Sequence, residues 1–214
     1  MNNQPITEEE ISTQKYNIKK IKSTFKGRFI HDEVMLVPII LKRIKNNKKN
    51  LNYLEIGVHN GASFCSAIYS GNNIKCYGID LWEGVTIQSY KNVDNLTLDR
   101  TLQNIENSNK YNNFFKLFKG NSFKDESIDF AKNIGKIDLL FLDGDHSYNG
   151  VKNNFENYSP LVESGGYVIF DDYSQGHEGV VRFCNSISKE KFNHIGAINL
   201  TGNSRVGSYL IQKL

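Results

Sequence analysis

Apolar residues recur along this chain with two periods. Val34, Val37, Ile40, Leu41 and Ile44 stand three or four positions apart, which predicts an amphipathic helix. A polar break, KNNKKN at 45–50, follows, and the pattern then changes. LNYLEIGV (51–58) reads as a strand, ASFCSAIYS (62–70) as a helix, IKCYGIDLW (74–82) as a strand and NLTLDRTLQNIENS (95–108) as a helix. NFFKLFKGN (113–121) and IDLLFLDG (137–144) continue the strands, with KDESIDFAKNI (124–134) as the helix between them. After NGVKNNFENYSPLVES (149–164), GGYVIFDDY (165–173) predicts a glycine turn feeding a strand. Strands alternating with helices of this length predict an α/β fold: a Rossmann-like, doubly wound, mostly parallel sheet. The end breaks the alternation, because EGVVRFCNSISKE is followed by two strand-like runs joined by TGNS at 201–204, a hairpin signal. One strand of a terminal hairpin must run against the rest of the sheet. The break at 45–50 divides an N-terminal helical cap (1–50) from the sheet domain (51–214).

Composition narrows the class without naming it. The 214 residues are 39% hydrophobic and 23% charged, as in a water-soluble domain, and no apolar run reaches the roughly 20 residues that span a bilayer. The opening MNNQPITEEE lacks the basic flank and apolar stretch of a secretory signal, so a cytoplasmic protein is expected. Cys65, Cys76 and Cys184 are odd in number and lie inside apolar elements, which predicts buried free thiols. The net charge is +3, but eleven Lys and Arg residues between Lys15 and Lys49 face only Asp32 and Glu33. That segment is either a solvated basic helix face or an attractor for an anionic partner; with no nucleic-acid motif in it, a nucleic-acid partner is not expected.

In an open parallel sheet, ligands bind beyond the carboxyl ends of the strands, so the chemistry is sought there. The first strand ends in YLEIGVHNGAS, where Glu55, Gly57 and Gly61 form an ExGxxxG turn entering a helix. Glycines permit close backbone approach, and helix-end N–H groups favour an anion or carboxylate. The second strand ends at Asp80, 23 positions beyond Gly57, where a carboxylate can accept both hydroxyls of a ribose. Together these predict an adenosine-containing ligand. NAD is disfavoured because His59 stands where GxGxxG has its middle glycine.

The ExGxxxG turn, the acidic end of strand two and the terminal hairpin resemble class I S-adenosylmethionine-dependent methyltransferases over residues 51 to 214. FLDGDHSYNGVKNNF followed by ESGGYVIFDDY is most similar to the metal-dependent O-methyltransferases that modify sugar hydroxyls in macrolide and aminocoumarin antibiotics, the macrocin, mycinamicin and novobiocin type. The resemblance implies transfer of a methyl group from S-adenosylmethionine to a saccharide hydroxyl. It implies Asp143, Asp171 and Asp172 as ligands of Mg²⁺ or another hard divalent cation, consistent with a set of carboxylates lacking softer donors. It implies Asp145 as general base, with His146 the competing candidate because imidazole titrates in the useful range. For each there is a second reading: Asp145 as a cap of the next helix, His146 as a support that bonds backbone.

By the same resemblance Asn60 and Ser63 meet the amino-acid end of the cofactor, Asn121 and Ser122 its adenine, and Asp143 borders it. Ser63 and Asn60 also suit a helix N-cap, and Trp82 packs either against the adenosine or in the core. His177 either approaches the metal or is an exposed loop residue. A lid is expected from the N-terminal helix with Arg28 and His31 and from EGVTIQSYKNVDN after strand two. The partner is a small-molecule or glycan acceptor, with a homo-oligomer possible. The alternatives are a nucleic-acid methyltransferase, an iron enzyme of the cephalosporin-hydroxylase-like group using two histidines and a carboxylate, and a non-catalytic S-adenosylmethionine-binding module.

Overall fold

The computed structural model describes residues 5–27, 33–83, 97–200 and 207–214. Arg28, His31, most of the segment after strand two and the TGNS turn lie outside the described residues.

Two helices precede the sheet. Thr7 caps α1 (Glu8–Lys22): its hydroxyl accepts the Glu10 N–H at 3.2 Å while the Glu10 carboxylate accepts the Thr7 N–H at 2.8 Å. Glu10 also pairs with Arg43 of α2 (Glu33–Lys45) at 2.7 Å, and that guanidinium, opposed only weakly by burial, pulls the Glu10 carboxyl down to about 2. Leu36, Val37, Ile40, Leu41 and Ile44 of α2 are buried in one cluster with Tyr53, Phe64, Phe141 and Ile169, so the helical cap shares the core of the sheet. Part of the basic segment is spent holding it there. Lys48 bridges Asp138 at 2.7 Å and Glu163 at 2.8 Å, Lys45 bonds Asn72, and Arg43 takes Glu10.

The remaining elements alternate as their periods predict: β1 (Leu51–Ile56), α3 (Ala62–Tyr69), β2 (Ile74–Asp80), α4 (Leu98–Ser108), β3 (Phe115–Lys119), α5 (Asp125–Lys132), β4 (Ile137–Leu142), α6 (Tyr148–Tyr158), β5 (Val162–Phe170), α7 (Glu178–Ser186), β6 (Phe192–Ile198) and β7 (Ser208–Lys213). One boundary differs from the expected one. The strand expected to follow a glycine turn at 165–166 begins earlier, because α6 stops at Tyr158, a 3-10 turn covers Ser159–Leu161, and β5 already starts at Val162. Pro160 explains the change, since it has no N–H to continue the helix and its ring collides with the carbonyl four residues back.

The strands order as β3-β2-β1-β4-β5-β7-β6. β1 to β5 are parallel, and β7 runs antiparallel to both β5 and β6, as the terminal hairpin required. Alternate residues feed opposite faces: Leu139 and Phe141 join the cluster under α2 and α3, while Leu140 and Leu142 join a second cluster with Val151, Phe155, Val180 and Phe183 of α6 and α7. The three cysteines are buried and free.

The chain moves outward from β1 to β3 and returns to β4, so β1 and β4 flank the reversal point where a crevice opens. Their exits cross at van der Waals contact. Gly57 has φ +91°, and a Cβ on it would lie 2.0 Å from the Asp143 carbonyl oxygen. Gly57→Ala is therefore expected to cost about 2–4 kcal/mol, combining left-handed strain with overlap of fixed backbone. Gly135→Ala, with a φ of +87° but nothing within 4 Å, should cost about 1 kcal/mol. Urea unfolding of both variants checks the difference.

Candidate active site

The loop leaving β1 is held by the residues expected at its rim. Asp80, at the end of β2, accepts the His59 N–H at 2.8 Å and the Trp82 N–H at 2.7 Å, tying the two strand exits together. Each carboxylate oxygen retains a second lone pair for a ligand hydroxyl. Trp82 is 4% exposed and its indole N–H reaches the His59 carbonyl at 3.1 Å and the Thr101 hydroxyl at 3.0 Å, so it belongs to the core and clamps the loop. Gly61 has φ +84° and begins α3 with Thr101 beside it. The close approaches at Gly57 and Gly61 are thus to the protein's own atoms.

Glu55 and Ser63, both expected at the cofactor, are buried and bond each other; Tyr53 donates to the other Glu55 oxygen at 2.7 Å. Burial, only partly offset by the two hydroxyl donors, raises the Glu55 carboxyl to about 8. Asn60 is buried too, and its side-chain oxygen has no hydrogen-bond partner among the described residues. Asn104 of α4 donates to the Asn60 carbonyl at 3.0 Å and exchanges bonds with the backbone of Lys26, stapling the glycine loop to the N-terminal segment. Beyond β3, the Asn121 side chain accepts the Phe123 N–H at 2.9 Å, and the Ser122 carbonyl accepts the Tyr158 hydroxyl at 2.7 Å.

Across the crevice the exits of β4 and β5 bring carboxylates together. Asp143, Asp171 and Asp172 each offer an oxygen, all within 4.8 Å of one another. Asp171 is 6% exposed and accepts from Ser208 of β7 at 3.2 Å; Asp172 follows it with φ +53°. Burial first, then the neighbouring negative charges, pushes Asp171 well above the carboxylate range; burial raises Asp143 to about 6, with Asp172 and Asp80 adding to it and His146 opposing. Crowded oxygen donors that resist ionising together are the donor set a hard divalent cation would relieve, so the residues fit Mg²⁺.

His146 sits within this cluster. Its Nε2 is 3.3 Å from Asp143 Oδ1 and its Nδ1 3.4 Å from Asp172 Oδ2. Burial disfavours the charged imidazole, but the carboxylates of Asp143, Asp172 and Asp145 outweigh it and raise His146 above its ordinary value. Asp145 is turned elsewhere: it is exposed, accepts the Ser147 N–H at 2.8 Å in a turn ahead of α6 and packs over Gly150, while Ser147 itself caps the helix by accepting the Gly150 N–H at 3.0 Å. His177 stands beside Asp172, with Nδ1 3.7 Å from Oδ1, and its ring meets that of His146 edge to face at 4.7 Å. Thr101, Asn104 and Ser208 were not singled out by sequence, since polar residues inside an amphipathic helix or a strand end carry no distinguishing pattern. Next to the cluster a cavity of about 590 Å³ lies between the exit of β5, α7 and the hairpin, lined by Tyr173, Ser174, Glu178, Arg182, Ile198 and Asn199 among others.

A reversal-point crevice, a glycine loop joined to an acidic β2 end, and an antiparallel closing hairpin define the class I S-adenosylmethionine-dependent methyltransferase fold. A family profile described as "Methyltransferase domain" matches residues 54–173, and the chain belongs to that family. An uncharacterized protein of Acanthamoeba polyphaga mimivirus is 32% identical over 158 residues, 72% of this chain and 65% of the viral one. The match to an uncharacterized protein of Sinorhizobium fredii covers 56% of this chain and 13% of that protein, so the chain spans less than two thirds of these curated relatives. An O-methyltransferase from Bacillus cereus, solved with S-adenosylhomocysteine, superposes with a TM-score of 0.64 at 16% identity, covering 98% of this chain and 92% of that one. The O-methyltransferase of tomaymycin synthesis from Streptomyces achromogenes, solved with S-adenosylmethionine, gives 0.60 at 14% identity over 97% and 91% of the two chains. Among the described residues no helix is long and apolar enough to cross a membrane.

The raised carboxyls predict a pH signature of stability. From the ordinary carboxylate value up to about 8, folded Glu55 keeps a proton that the unfolded chain has released. Stability therefore falls as pH rises through that window, with Asp143 contributing the same sign only up to about 6 and Asp171, held well above the carboxylate range, the same sign beyond it. Glu55→Gln should make the fall shallower from the ordinary carboxylate value up to about 8 and leave the part due to Asp143 and Asp171, as read from melting temperature across pH 5 to 9 in the absence of divalent metal.

Proposed function

We propose that the protein transfers a methyl group from S-adenosylmethionine to a hydroxyl of a small, sugar-containing acceptor, with a hard divalent cation such as Mg²⁺ in its carboxylate cluster. The observation that carries the reading is the convergence of Asp143, Asp171, Asp172 and His146 at one rim, beside the cavity and across the crevice from Asp80.

Asp80 would accept the ribose hydroxyls of the cofactor, and the unpaired Asn60 oxygen is an acceptor for its ammonium group. Glu55, Ser63 and Trp82 act by holding the loop in which these groups stand. Asp143, Asp171 and Asp172 would hold the cation, whose chemistry when bound is to acidify a coordinated hydroxyl and stabilise the alkoxide that develops. His146 takes the acceptor proton on Nδ1, the nitrogen facing Asp172, while Asp143 orients the ring through Nε2. Asp145 keeps the turn that presents His146 and is a positioning residue. The cavity lining mixes the Tyr173 ring with Ser174, Glu178, Arg182 and Asn199, a supply of donors and acceptors around an apolar face that suits a saccharide. The nucleic-acid reading is weakened by the internal pairing of Arg43, Lys45 and Lys48.

Calorimetric titration with S-adenosylmethionine and Mg²⁺ tests the two ligand sites separately. Asp80→Ala is expected to weaken the cofactor about tenfold or more by removing charge-assisted hydrogen bonds, and to leave the Mg²⁺ heat intact. Asp172→Asn should do the opposite; parallel loss of both ligands in either variant would refute the division. In a screen of sugar acceptors, His146→Gln should lower kcat by about 10²–10⁴ and Asp145→Asn by less than about tenfold. The reverse order would return the role of base to Asp145.

A further inference from the structure

We infer that the same rim carries a second metal site of different chemistry, formed by His146, Asp172 and His177, which takes a borderline transition ion such as Zn²⁺ or Co²⁺ and excludes the hard cation while it is occupied. The binding itself stands on the geometry of these three side chains; its consequence for catalysis rests on the reading above.

One donor atom from each of the three lies within 4.8 Å of the other two. His146 Nδ1 is 3.4 Å from one Asp172 oxygen and His177 Nδ1 is 3.7 Å from the other. Two ligands each about 2.0–2.1 Å from a zinc ion in tetrahedral geometry are about 3.4 Å apart; both nitrogen–oxygen separations are close to that value, and the remaining separation, within 4.8 Å, closes by rotation of the partly exposed side chains. The outer nitrogen of His146 faces Asp143 at 3.3 Å. That is the arrangement in which a carboxylate fixes the tautomer and orientation of a metal-bound imidazole. The Ser174 hydroxyl lies 3.3 Å from the same His177 Nδ1, a contact that an ion on that nitrogen replaces. Both imidazoles are about one third exposed, which leaves an entry path.

Two nitrogens and one carboxylate favour ions late in the first transition row, whereas three carboxylates favour Mg²⁺. Asp172 belongs to both sets. A single carboxylate shared in this way makes occupation by the two classes of ion competitive. With an ion on its Nδ1, His146 has no lone pair left for an acceptor proton, so the nitrogen-held ion idles the enzyme.

The test is titration of the full chain with Co²⁺, followed by its visible absorption, with and without Mg²⁺. The expected result is a histidine-type spectrum whose apparent affinity falls as Mg²⁺ is raised. His177→Ala should weaken Co²⁺ about tenfold or more, since a lost ligand should cost at least what a lost supporting group does, and should leave the Mg²⁺ heat in place. His146→Gln gives a second, independent removal of a ligand, and circular dichroism reports whether each variant is folded. Equal Co²⁺ affinity in the parent and in either folded variant, or the absence of a histidine-type spectrum, would overturn the inference and leave only ion pairs between histidine and aspartate. Histidine-dependent Co²⁺ binding in a protein that gives no Mg²⁺ heat would uphold the site and sink the magnesium reading instead.

Discussion

The site depends on one close crossing, where the exits of β1 and β4 meet at the reversal of strand order. The Asp143 N–H donates to the Ile56 carbonyl at 2.8 Å, the Gly57 N–H donates to Ile79 at 2.9 Å, and no side chain fits between Gly57 and the Asp143 carbonyl. Three strand exits are thereby locked in register. The glycine loop after β1 and the Asp143 exit of β4 are joined through backbone, which fixes the distance between the proposed cofactor and cation sites.

On that frame the protein gathers carboxyl groups that no lysine or arginine among the described residues pairs with. Glu55 is accommodated by Tyr53 and Ser63 at the expense of a strongly raised carboxyl. Asp143, Asp171 and Asp172 share the cluster with His146, His177, Ser208 and the Asp172 backbone as partners among the described residues. Such a cluster is costly without a positive guest, because like charges in a poorly solvated rim cannot all ionise. The same crowding is what the proposed cation would relieve, and the two histidines are the basis for proposing a second class of ion there.

Much of the architecture could be read from hydrophobic period alone, because each strand of a doubly wound sheet is bounded by a polar turn and followed by a helix of ordinary length. The early start of β5 at Val162, ahead of the glycine pair where the turn is expected, follows from Pro160, which ends α6. At the site, the strand-end rule located Asp80, Asp143, Asp171 and Asp172, since parallel strands deliver their carboxyl ends to one edge. The rule gives position along the chain and says nothing of where a side chain turns. Asp145 and His146 are adjacent in sequence, yet one holds the turn ahead of α6 and the other enters the carboxylate cluster. Trp82 and Glu55 carry the spacing of ligand residues and are consumed by packing.

The sequence by itself determined the alternation of strands and helices, the antiparallel last hairpin, and the set of acidic residues at the strand ends, because these follow from local periodicity and from the polarity of turns. Only the tertiary structure decided that β4 lies beside β1, that His177 reaches Asp172, that Asn60 is left with an unpaired oxygen, and that a cavity opens beside β5. Those are contacts between segments far apart in the chain, chosen by how two hydrophobic layers close on the sheet, and no local pattern encodes them.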